Sequence, residues 1–207
     1  MDGVLIHSRD FHRRAFEEVL SELGIHDFQY DRYAGWRTSE VFQSVLANHF
    51  GQAVGDAQLA EYSARKTARA RQLLDQEFPI APGCVETVTS LAPRYQLALA
   101  SSGSRASVAA FLNHTGLTPL FHSVLSGDDV KHAKPDPELF AQSIRNLDLQ
   151  PDQCIVVEDA VAGVQAARSA GARAIGMGKQ YAAELTKAGA ERVVDSMAEL
   201  AQVLETL

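Results

Sequence analysis

The chain has 207 residues, 46% of them hydrophobic and 22% charged, which allows a core domain with a smaller insert. Its 26 acidic and 19 basic residues give a formal charge of -7, which excludes a general attraction to nucleic acid or to an anionic membrane. No apolar run approaches the roughly 20 residues of a membrane span, and the N-terminal residues lack the pattern of a secretory signal. We therefore expect a cytoplasmic protein in which Cys84 and Cys154 are buried, reduced thiols.

The stretch from residue 10 to residue 78 carries helical patterns only. Its first segment spaces large apolar residues along one helix face, Thr38 or Ser39 is expected to cap the second helix, and Asp56 is expected to cap a long third helix. The sequence "PIAPG" at 79–83 then interrupts the helical pattern, as a linker would. We predict an all-helical cap domain over 10–78 and a core domain formed by 1–9 and 79–207.

From residue 84 onward, short apolar segments alternate with helical ones. Strands are predicted at 95–101, 123–127, 154–159 and 172–177, and "MDGVL" at 1–5 is interpreted as the tail of a first strand with Asp2 at its tip. Strands that are apolar throughout and separated by helices favour a parallel sheet covered on both faces. The predicted fold class is α/β, a doubly wound parallel-sheet core with an inserted helical cap, and such sheets bind ligands at the carboxyl ends of their strands.

Polar side chains stand at those predicted strand ends: Asp2, Ser101, Glu158 and Asp159, with Lys134 in a loop before a helix. Carboxylates suit Mg²⁺, a hydroxyl at a helix start suits phosphate oxygens, and a lysine balances the negative charge. Each residue alone has a structural explanation, since Ser101 could cap the next helix, Lys134 could be a solvated charge, and the two acids could form a turn. Their joint appearance in this order favours phosphoryl transfer.

The segments "DGVLIHS", "LALASSGS", "KPDPELF" and "VVEDAVAGVQAARSAGARAIG" resemble the four motifs of the haloacid dehalogenase (HAD) superfamily. The closest branch has a helical cap after the first motif and includes beta-phosphoglucomutase and phosphoglycolate phosphatase. The resemblance implies a Rossmann-like HAD core, Mg²⁺ as the cofactor and a small phosphorylated metabolite as the substrate. We expect no nucleic acid or membrane partner, and a monomer or a homodimer.

The resemblance also implies roles for individual residues. Asp2 matches the general acid and base, Ser101 the phosphate-binding hydroxyl with the Ser102 N–H beside it, and Lys134 the lysine that steadies the phosphate and the nucleophile. The implied metal site comprises the Asp2 backbone carbonyl, Asp159 as a ligand and Glu158 as its acidic partner in the metal shell.

The sequence departs from the family pattern at two points. The family's nucleophile is an aspartate two positions before Asp2, and Met1 occupies the position between them. We therefore expect the nucleophile to lie upstream of Met1 and residues 1–207 to show little or no turnover. His7 stands where the family usually has aspartate, and we interpret it as a solvated loop residue.

The cap segment "YAGWRTSEVF" lies where this branch has its substrate-specificity loop. Gly35 would permit a tight turn and Arg37 is a candidate to meet a substrate's distal polar groups, although Arg37 could be a surface charge and Trp36 a packing residue. His12 matches a histidine of the phosphoglucomutase branch, but a histidine on a helix face is more often structural. The basic run at 64–72 is interpreted as a solvated helix face.

Several functions remain open at this point. The first is a magnesium-dependent phosphatase that works through an aspartyl-phosphate, and the second is a sugar phosphomutase of the beta-phosphoglucomutase type. A third is a catalytically inactive member that binds a phosphate ligand or a partner. A phosphorylation-receiver domain also uses Asp, Ser or Thr, and Lys at strand ends, but it would be about half this length and would lack the helical insert.

Overall fold

The computed structural model describes residues 1–33 and 36–206, with the side chain of residue 75 left outside the description. Two compact units divide the chain: Met1–His7 with Ile80–Leu207, called the core unit below, and Ser8–Pro79, called the cap unit. The sequence predicts these divisions after residues 9 and 78. Among the described residues, none of the helices combines the length and the apolar character that crossing a membrane requires.

The described part of the cap unit contains helices and no β-strand. Its helices are α1 (Arg9–Ser21), α2 (Thr38–Phe50) and α3 (Asp56–Gln76). Large apolar side chains of α1 and α2 pack around Phe16 and Phe42, whose rings lie 5.3 Å apart. A second apolar cluster joins α1 to α3, in agreement with the amphipathic pattern of these segments.

Both predicted helix caps in this unit were slightly misplaced. The helix α2 already begins at Thr38, so that its cap residue is Arg37, and α3 begins at Asp56 after Gly55. The Glu40 carboxylate reaches back and accepts a hydrogen bond of 3.1 Å from the Arg37 backbone N–H. This contact links the first turn of α2 to Arg37, so the helix begins one residue nearer the N-terminus than a Thr38 cap would give.

The basic run at 64–72 forms only part of the solvated face that was predicted. Arg71 is exposed, as expected. Arg69 instead donates a 3.0 Å hydrogen bond to Glu18 of α1, Arg65 forms an ion pair with Glu22 of the same helix, and Lys66 is buried. The prediction fails for these three residues because they lie on the side of α3 that packs against α1.

The core unit contains five parallel strands in the part of the chain described here. They are β1 (Leu97–Ala100), β2 (Phe121–Leu125), β3 (Ile155–Glu158), β4 (Arg173–Met177) and β5 (Arg192–Val194). The helices that alternate with them are α4 (Cys84–Leu91), α5 (Arg105–Thr115), α6 (Glu138–Asn146), α7 (Val161–Ser169), α8 (Ala182–Ala188) and α9 (Met197–Glu205). This is the predicted α/β fold class.

The strands form two parallel sheets. One pairs β1 with β2 and the other has the order β3-β4-β5. The predicted strands are present with ends shifted by at most two residues, whereas β5 was missed because only its two valines are apolar. The predicted tail of a first strand at 1–5 is not a strand. Asp2 and Ile6 form an isolated β-bridge with each other, and Ile6 forms a second one with Ile80.

Candidate active site

The carboxyl ends of β1 and β3 carry the predicted polar residues, and the first turn of the chain lies against them. Ser101 directly follows β1 and Asp159 directly follows β3. Gly3 has a φ of +69°, and a Cβ there would overlap the Asp159 carboxylate. Only glycine fits this close approach, so the turn that carries Asp2 is held against Asp159.

Ser101 is buried at this edge. The Ser101 backbone N–H donates to the Leu125 carbonyl at 3.0 Å, and Ser101 Oγ accepts from the Gly103 N–H at 3.0 Å. A Cβ on Gly103 would lie 3.2 Å from Ser101 Oγ and 3.6 Å from Asp2 Oδ2, so both side chains border the same small space. Ser101 does not cap α5, because Ser104 performs that function.

The loop after Ser101 is fixed by the loop after β2. The Gly127 N–H donates to the Gly103 carbonyl at 2.8 Å, and the Arg105 N–H donates to the Asp128 carboxylate at 2.8 Å. A Cβ on Gly127 would lie 2.5 Å from the Ser102 carbonyl oxygen, so the two loops are in close contact. Ser102 itself is exposed. The backbone around the predicted phosphate-binding residues is therefore rigidly supported.

Lys134 and Glu158 form a buried ion pair, and each side chain is only 9% exposed. The other oxygen of Glu158 accepts from the backbone N–H groups of Asp159 at 3.0 Å and of Ala160 at 3.2 Å, directly before α7. A Cβ on Gly163 would overlap the Glu158 carboxylate. Glu158 thus connects the lysine to the start of α7 and requires glycine at 163.

The charges in this pair stabilise each other. Burial alone would lower the pKa of Lys134, but the Glu158 carboxylate, helped by Asp159 and Asp2, outweighs burial and raises it. Burial alone would likewise raise the pKa of Glu158, but the charge of Lys134 outweighs burial, and the pKa of Glu158 is lowered. Both residues therefore stay ionised, and the ammonium remains available to an anion at the sheet edge.

The loop that carries Lys134 is anchored to the first turn of α6. The Glu138 carboxylate accepts from the backbone N–H of Lys131 at 3.1 Å and of His132 at 2.8 Å. These hydrogen bonds lower the pKa of Glu138, and the one from the Lys131 backbone has the largest effect. The loop reaches the sheet edge in a defined conformation, so Lys134 is pre-positioned.

Asp159 lies in a crowd of negative charge. Loss of solvation, followed by the neighbouring Glu158 carboxylate and with a smaller contribution from Asp2, raises the pKa of Asp159 to about 7. A divalent cation would relieve this repulsion. The Asp159 carboxylate and the oxygens of Asp2 are the hard donors that Mg²⁺ prefers, so these residues fit the implied cofactor.

The geometry favours a different role for Glu158 from the predicted contact with the metal. One of its oxygens holds Lys134 and the other holds two backbone N–H groups. A carboxylate engaged in this way positions its neighbours and is a poor direct ligand. Asp159 and Asp2 remain the predicted metal ligands.

In the cap unit, His12 contacts a lysine that the sequence interpretation did not select. Its Nδ1 lies 3.0 Å from Lys66 Nζ, and that ammonium also lies 4.5 Å from the centre of the Phe16 ring. Arg37 is half-buried, and Trp36 is half-exposed with its ring edge-on to Tyr33.

Two other sequence predictions concern loop residues. Gly35 lies outside the described residues, so the predicted turn there stays a prediction. His7 is exposed, as expected for a solvated loop residue.

Two residues that contact the candidate site residues were not selected from the sequence, although signals for both were present. Gly163 lies in the fourth motif, five residues after Glu158, and its lack of a side chain leaves room for the Glu158 carboxylate. Lys66 shares a helix face with Tyr62, Ala70 and Leu73, at spacings of i-4, i+4 and i+7, which places it on the buried side of α3.

Comparison with known proteins identifies the family. Residues 1–177 match the sequence profile of the haloacid dehalogenase-like hydrolases. The chain belongs to this family. It is therefore a hydrolase or phosphotransferase by class, and the phosphorylation-receiver alternative is excluded.

Individual members of the family resemble the chain over most of its length. Fructose-1-phosphate phosphatase YqaB of Escherichia coli (strain K12) is 35% identical over 84% of this chain and 92% of its own. Beta-phosphoglucomutase of Bacillus subtilis (strain 168) is 29% identical over 86% of this chain and 81% of its own. The crystal structure of beta-phosphoglucomutase from Clostridium difficile superposes with a TM-score of 0.83 at 27% identity, covering 99% of this chain and 92% of that one. The HAD core with a helical cap is thus the fold of this protein.

Proposed function

We propose that this HAD protein provides the catalytic framework of a phosphatase for a small phosphorylated metabolite, with phosphorylated sugars as the first class to test. The observation that carries the proposal is the meeting of Asp2, Ser101, Lys134 and Asp159 at one edge of the core unit. A general acid, a phosphate-binding hydroxyl, a buried cation and a hard oxygen ligand are the groups that phosphoryl transfer requires. The phosphatase relative supports the sugar class, because its name specifies fructose 1-phosphate.

The proposed reaction has two displacements at phosphorus. In the family motif the accepting carboxylate belongs to an aspartate two positions before Asp2. One of its oxygens forms a bond to phosphorus as the bond to the substrate oxygen breaks, and Asp2 gives its proton to that leaving oxygen. Asp2 then removes a proton from water, whose oxygen attacks the phosphorus and displaces the carboxylate. Inorganic phosphate leaves and the accepting aspartate is regenerated.

Lys134 and Ser101 act on the phosphoryl oxygens. The ammonium of Lys134, kept charged by Glu158, neutralises negative charge as it shifts during transfer. The Ser101 hydroxyl, held by Gly103 and Leu125, and the Ser102 N–H orient the group. When bound, Mg²⁺ at Asp159 and the Asp2 carbonyl would supply further neutralisation of the phosphate charge.

His12, Arg37 and the newly found Lys66 are the proposed substrate contacts of the cap unit. A buried ammonium and a guanidinium suit the hydroxyls or a second anionic group of a sugar phosphate. We further propose that the protein acts in the cytoplasm as a monomer or a homodimer.

A sugar phosphomutase is the second candidate, supported by the likeness to beta-phosphoglucomutases. It uses the same first displacement, but a hydroxyl of a second sugar phosphate takes the place of water. A binding protein without turnover is the third candidate.

The test compares three proteins in an assay for phosphate release from a panel of sugar phosphates with Mg²⁺. They are residues 1–207, the same chain preceded by a short apolar segment and Phe-Asp, and the extended chain with Phe-Asn. We expect Mg²⁺-dependent hydrolysis from the Phe-Asp protein only, because positioning groups cannot replace the atom that accepts the phosphoryl group. Conversion of a sugar 1-phosphate to its 6-phosphate, without phosphate release, would favour the mutase. Turnover by residues 1–207 would contradict the proposed nucleophile.

A further inference from the structure

The loop that begins at Ser101 and leads into α5, called the phosphate loop below, follows the segment after β2. The Ser101 N–H donates to the Leu125 carbonyl at 3.0 Å, and the Gly103 carbonyl accepts from the Gly127 N–H at 2.8 Å. Because β1 and β2 pair in parallel up to Ala100 and Leu125, these two hydrogen bonds continue the pairing beyond both strands. The segment after β2 therefore sets the path of the phosphate loop.

The point at which the phosphate loop becomes α5 is held by an aspartate of the same segment. Arg105 is the first residue of α5, and a backbone N–H in the first turn of a helix has no acceptor within the helix. The Asp128 carboxylate supplies that acceptor through its Oδ2 atom, 2.8 Å from the Arg105 nitrogen. Both ends of the phosphate loop thus have a fixed partner outside the loop.

Asp129 gives the segment after β2, called the bracing loop below (residues 126–129), its own shape. Asp129 Oδ2 accepts from the N–H of the buried Ser126 at 2.8 Å and from the Ser126 hydroxyl at 2.6 Å. Asp129 Oδ1 accepts from the Arg105 guanidinium at 2.5 Å. The Ser126 hydroxyl, followed by the Ser126 N–H, holds the pKa of Asp129 below its usual value. Asp129 therefore stays ionised, closes the bracing loop and connects it to α5.

The bracing loop and the phosphate loop are also in direct backbone contact at Ser102. A Cβ on Gly127 would lie 2.5 Å from the Ser102 carbonyl oxygen and 3.1 Å from the Ser102 carbonyl carbon. The two backbones approach this closely only because Gly127 has no side chain. A movement of the bracing loop would consequently be passed on to the Ser102 peptide.

Electrostatic attraction does not explain two aspartates beside a loop that is proposed to bind an anion. A carboxylate close to a phosphate site weakens the binding of phosphate by Coulomb repulsion. Asp128 and Asp129 instead accept hydrogen bonds from the first residue of α5 and from Ser126. Their contacts therefore indicate a role in fixing the backbone.

We propose that Asp128 and Asp129 are positioning residues of the phosphate site, which hold the Ser101 hydroxyl and the Ser102 N–H in place through the bracing loop. The inference rests on the proposed function, since it assumes that the phosphate loop binds a phosphoryl group. A loop that is already held in its binding conformation loses little conformational entropy when the ligand binds. Releasing either aspartate should thus weaken phosphate binding, even though a negative charge is removed.

The test is the affinity of residues 1–207 for inorganic phosphate with Mg²⁺, measured by isothermal titration calorimetry. Asp128→Ala should weaken binding about fivefold, because an N–H in the first turn of α5 loses its acceptor. Asp128→Asn should bind within about twofold of the parent, since its side-chain oxygen can still accept from the Arg105 N–H. Asp129→Ala and Asp129→Asn should both weaken binding about fivefold, because an amide has one oxygen where the donors to Asp129 use two.

Two further variants and a second measurement complete the test. Asp152→Ala removes an exposed aspartate from the turn before β3 and should leave the phosphate affinity unchanged. Gly127→Ala changes no charge, but its Cβ would displace the Ser102 peptide, so it should weaken binding about fivefold and answers the question if an aspartate variant does not fold. Hydrogen exchange of the Arg105 amide should be faster in Asp128→Ala than in the parent, and unchanged in Asp128→Asn.

The outcomes separate this inference from the proposed function. Equal or tighter phosphate binding by Asp128→Ala and Asp129→Ala would overturn the inference alone, because removal of a repulsive charge predicts that result. Equal weakening by Asp128→Ala and Asp128→Asn would also overturn it, since the effect would then follow the charge of Asp128 and not its acceptor oxygen. A parent chain without affinity for phosphate would overturn the proposed function and this inference together.

Discussion

The core unit and the cap unit each bury one lysine, and the two environments differ. Lys134 of the core unit meets a buried carboxylate that is itself fixed by backbone N–H groups. Lys66 of the cap unit meets the imidazole of His12 and the face of Phe16. The Glu158 carboxylate stabilises the charge of Lys134, whereas His12 offers Lys66 a ring nitrogen and Phe16 offers it a π face.

The comparison suggests a division of labour that is consistent with the proposed function. Lys134 is proposed to contact the phosphoryl group, which is common to all substrates, and several contacts fix its position and its charge. Lys66 belongs to the unit that is proposed to meet the variable part of the substrate, where adaptable polar groups are useful.

Replacing each lysine should give the largest difference in stability between the two units. Lys134→Met should cost about 3 kcal/mol of the stability of the core unit, because it leaves Glu158 buried without its counter-ion. Amide exchange of α7 measures this loss. The double variant Lys134→Met with Glu158→Gln should recover part of it, since no buried charge remains.

The matched control is Lys66→Met, which should cost the cap unit about 1 kcal/mol or less, because a hydrogen bond is lost but the apolar stem is kept. Trp36, the single tryptophan of the chain, lies in the cap unit and reports its unfolding by fluorescence. Equal losses for the two lysines would refute the proposed difference between their environments.

A single methyl group at Gly163 should have the next largest effect. Its Cβ would overlap the Glu158 carboxylate and displace the ion pair, so Gly163→Ala should destabilise the core unit by about 2 kcal/mol. Gly55→Ala is the control, because a Cβ there meets nothing within 4 Å, and it should cost less than about 1 kcal/mol. Urea denaturation followed by circular dichroism measures both. If Gly163→Ala left the free energy of unfolding unchanged, the Glu158 carboxylate would not be confined by the space at Gly163.

The raised pKa of Asp159 predicts a smaller, pH-dependent effect. Between its ordinary value of 3.8 and about 7, folded Asp159 keeps a proton that the unfolded chain releases. The metal-free protein should therefore lose stability as the pH rises through this window and level off above it. Asp159→Asn does not titrate, so it should be more stable than the parent at about pH 8 by on the order of 2 kcal/mol, with little difference at about pH 4.

Thermal unfolding with a chelator measures this difference, and the partial exposure of Asp159 keeps it modest. Adding Mg²⁺ should stabilise the parent at about pH 8 and leave the variant unchanged. A difference that grows toward acid pH would mean that Asp159 is ionised throughout.

The sequence was most informative where chemistry constrains residue types. Asp2, Ser101, Lys134 and Asp159 were selected from strand ends and motif order, because parallel strands bring their carboxyl ends to one edge. The role of Glu158 could not be predicted, since the sequence does not show that both of its oxygens face internal donors. Likewise β5 has too few apolar residues to be distinguished from a loop, and it pairs because β4 offers an edge.

The first strand shows a different limit. The apolar pattern at the start predicted a strand tail, but those residues fold into a turn at Asp2–Ile6, and their only described pairings are isolated bridges. Strand formation depends on partners that local sequence does not describe.

The measurement that tests the central claim most directly is the mass of the protein during turnover. The chain extended with Phe-Asp is mixed with a sugar phosphate and Mg²⁺, quenched in acid and examined by intact-mass and peptide mass spectrometry. We expect one phosphoryl group, on the aspartate two positions before Asp2, labile to hydroxylamine and absent from the Phe-Asn protein. Changing Asp2 to Asn should slow both its formation and its loss, because Asp2 is the proposed acid of the first step and the proposed base of the second. A phosphoryl group on Ser101, or hydrolysis without any phosphorylated protein, would contradict the account.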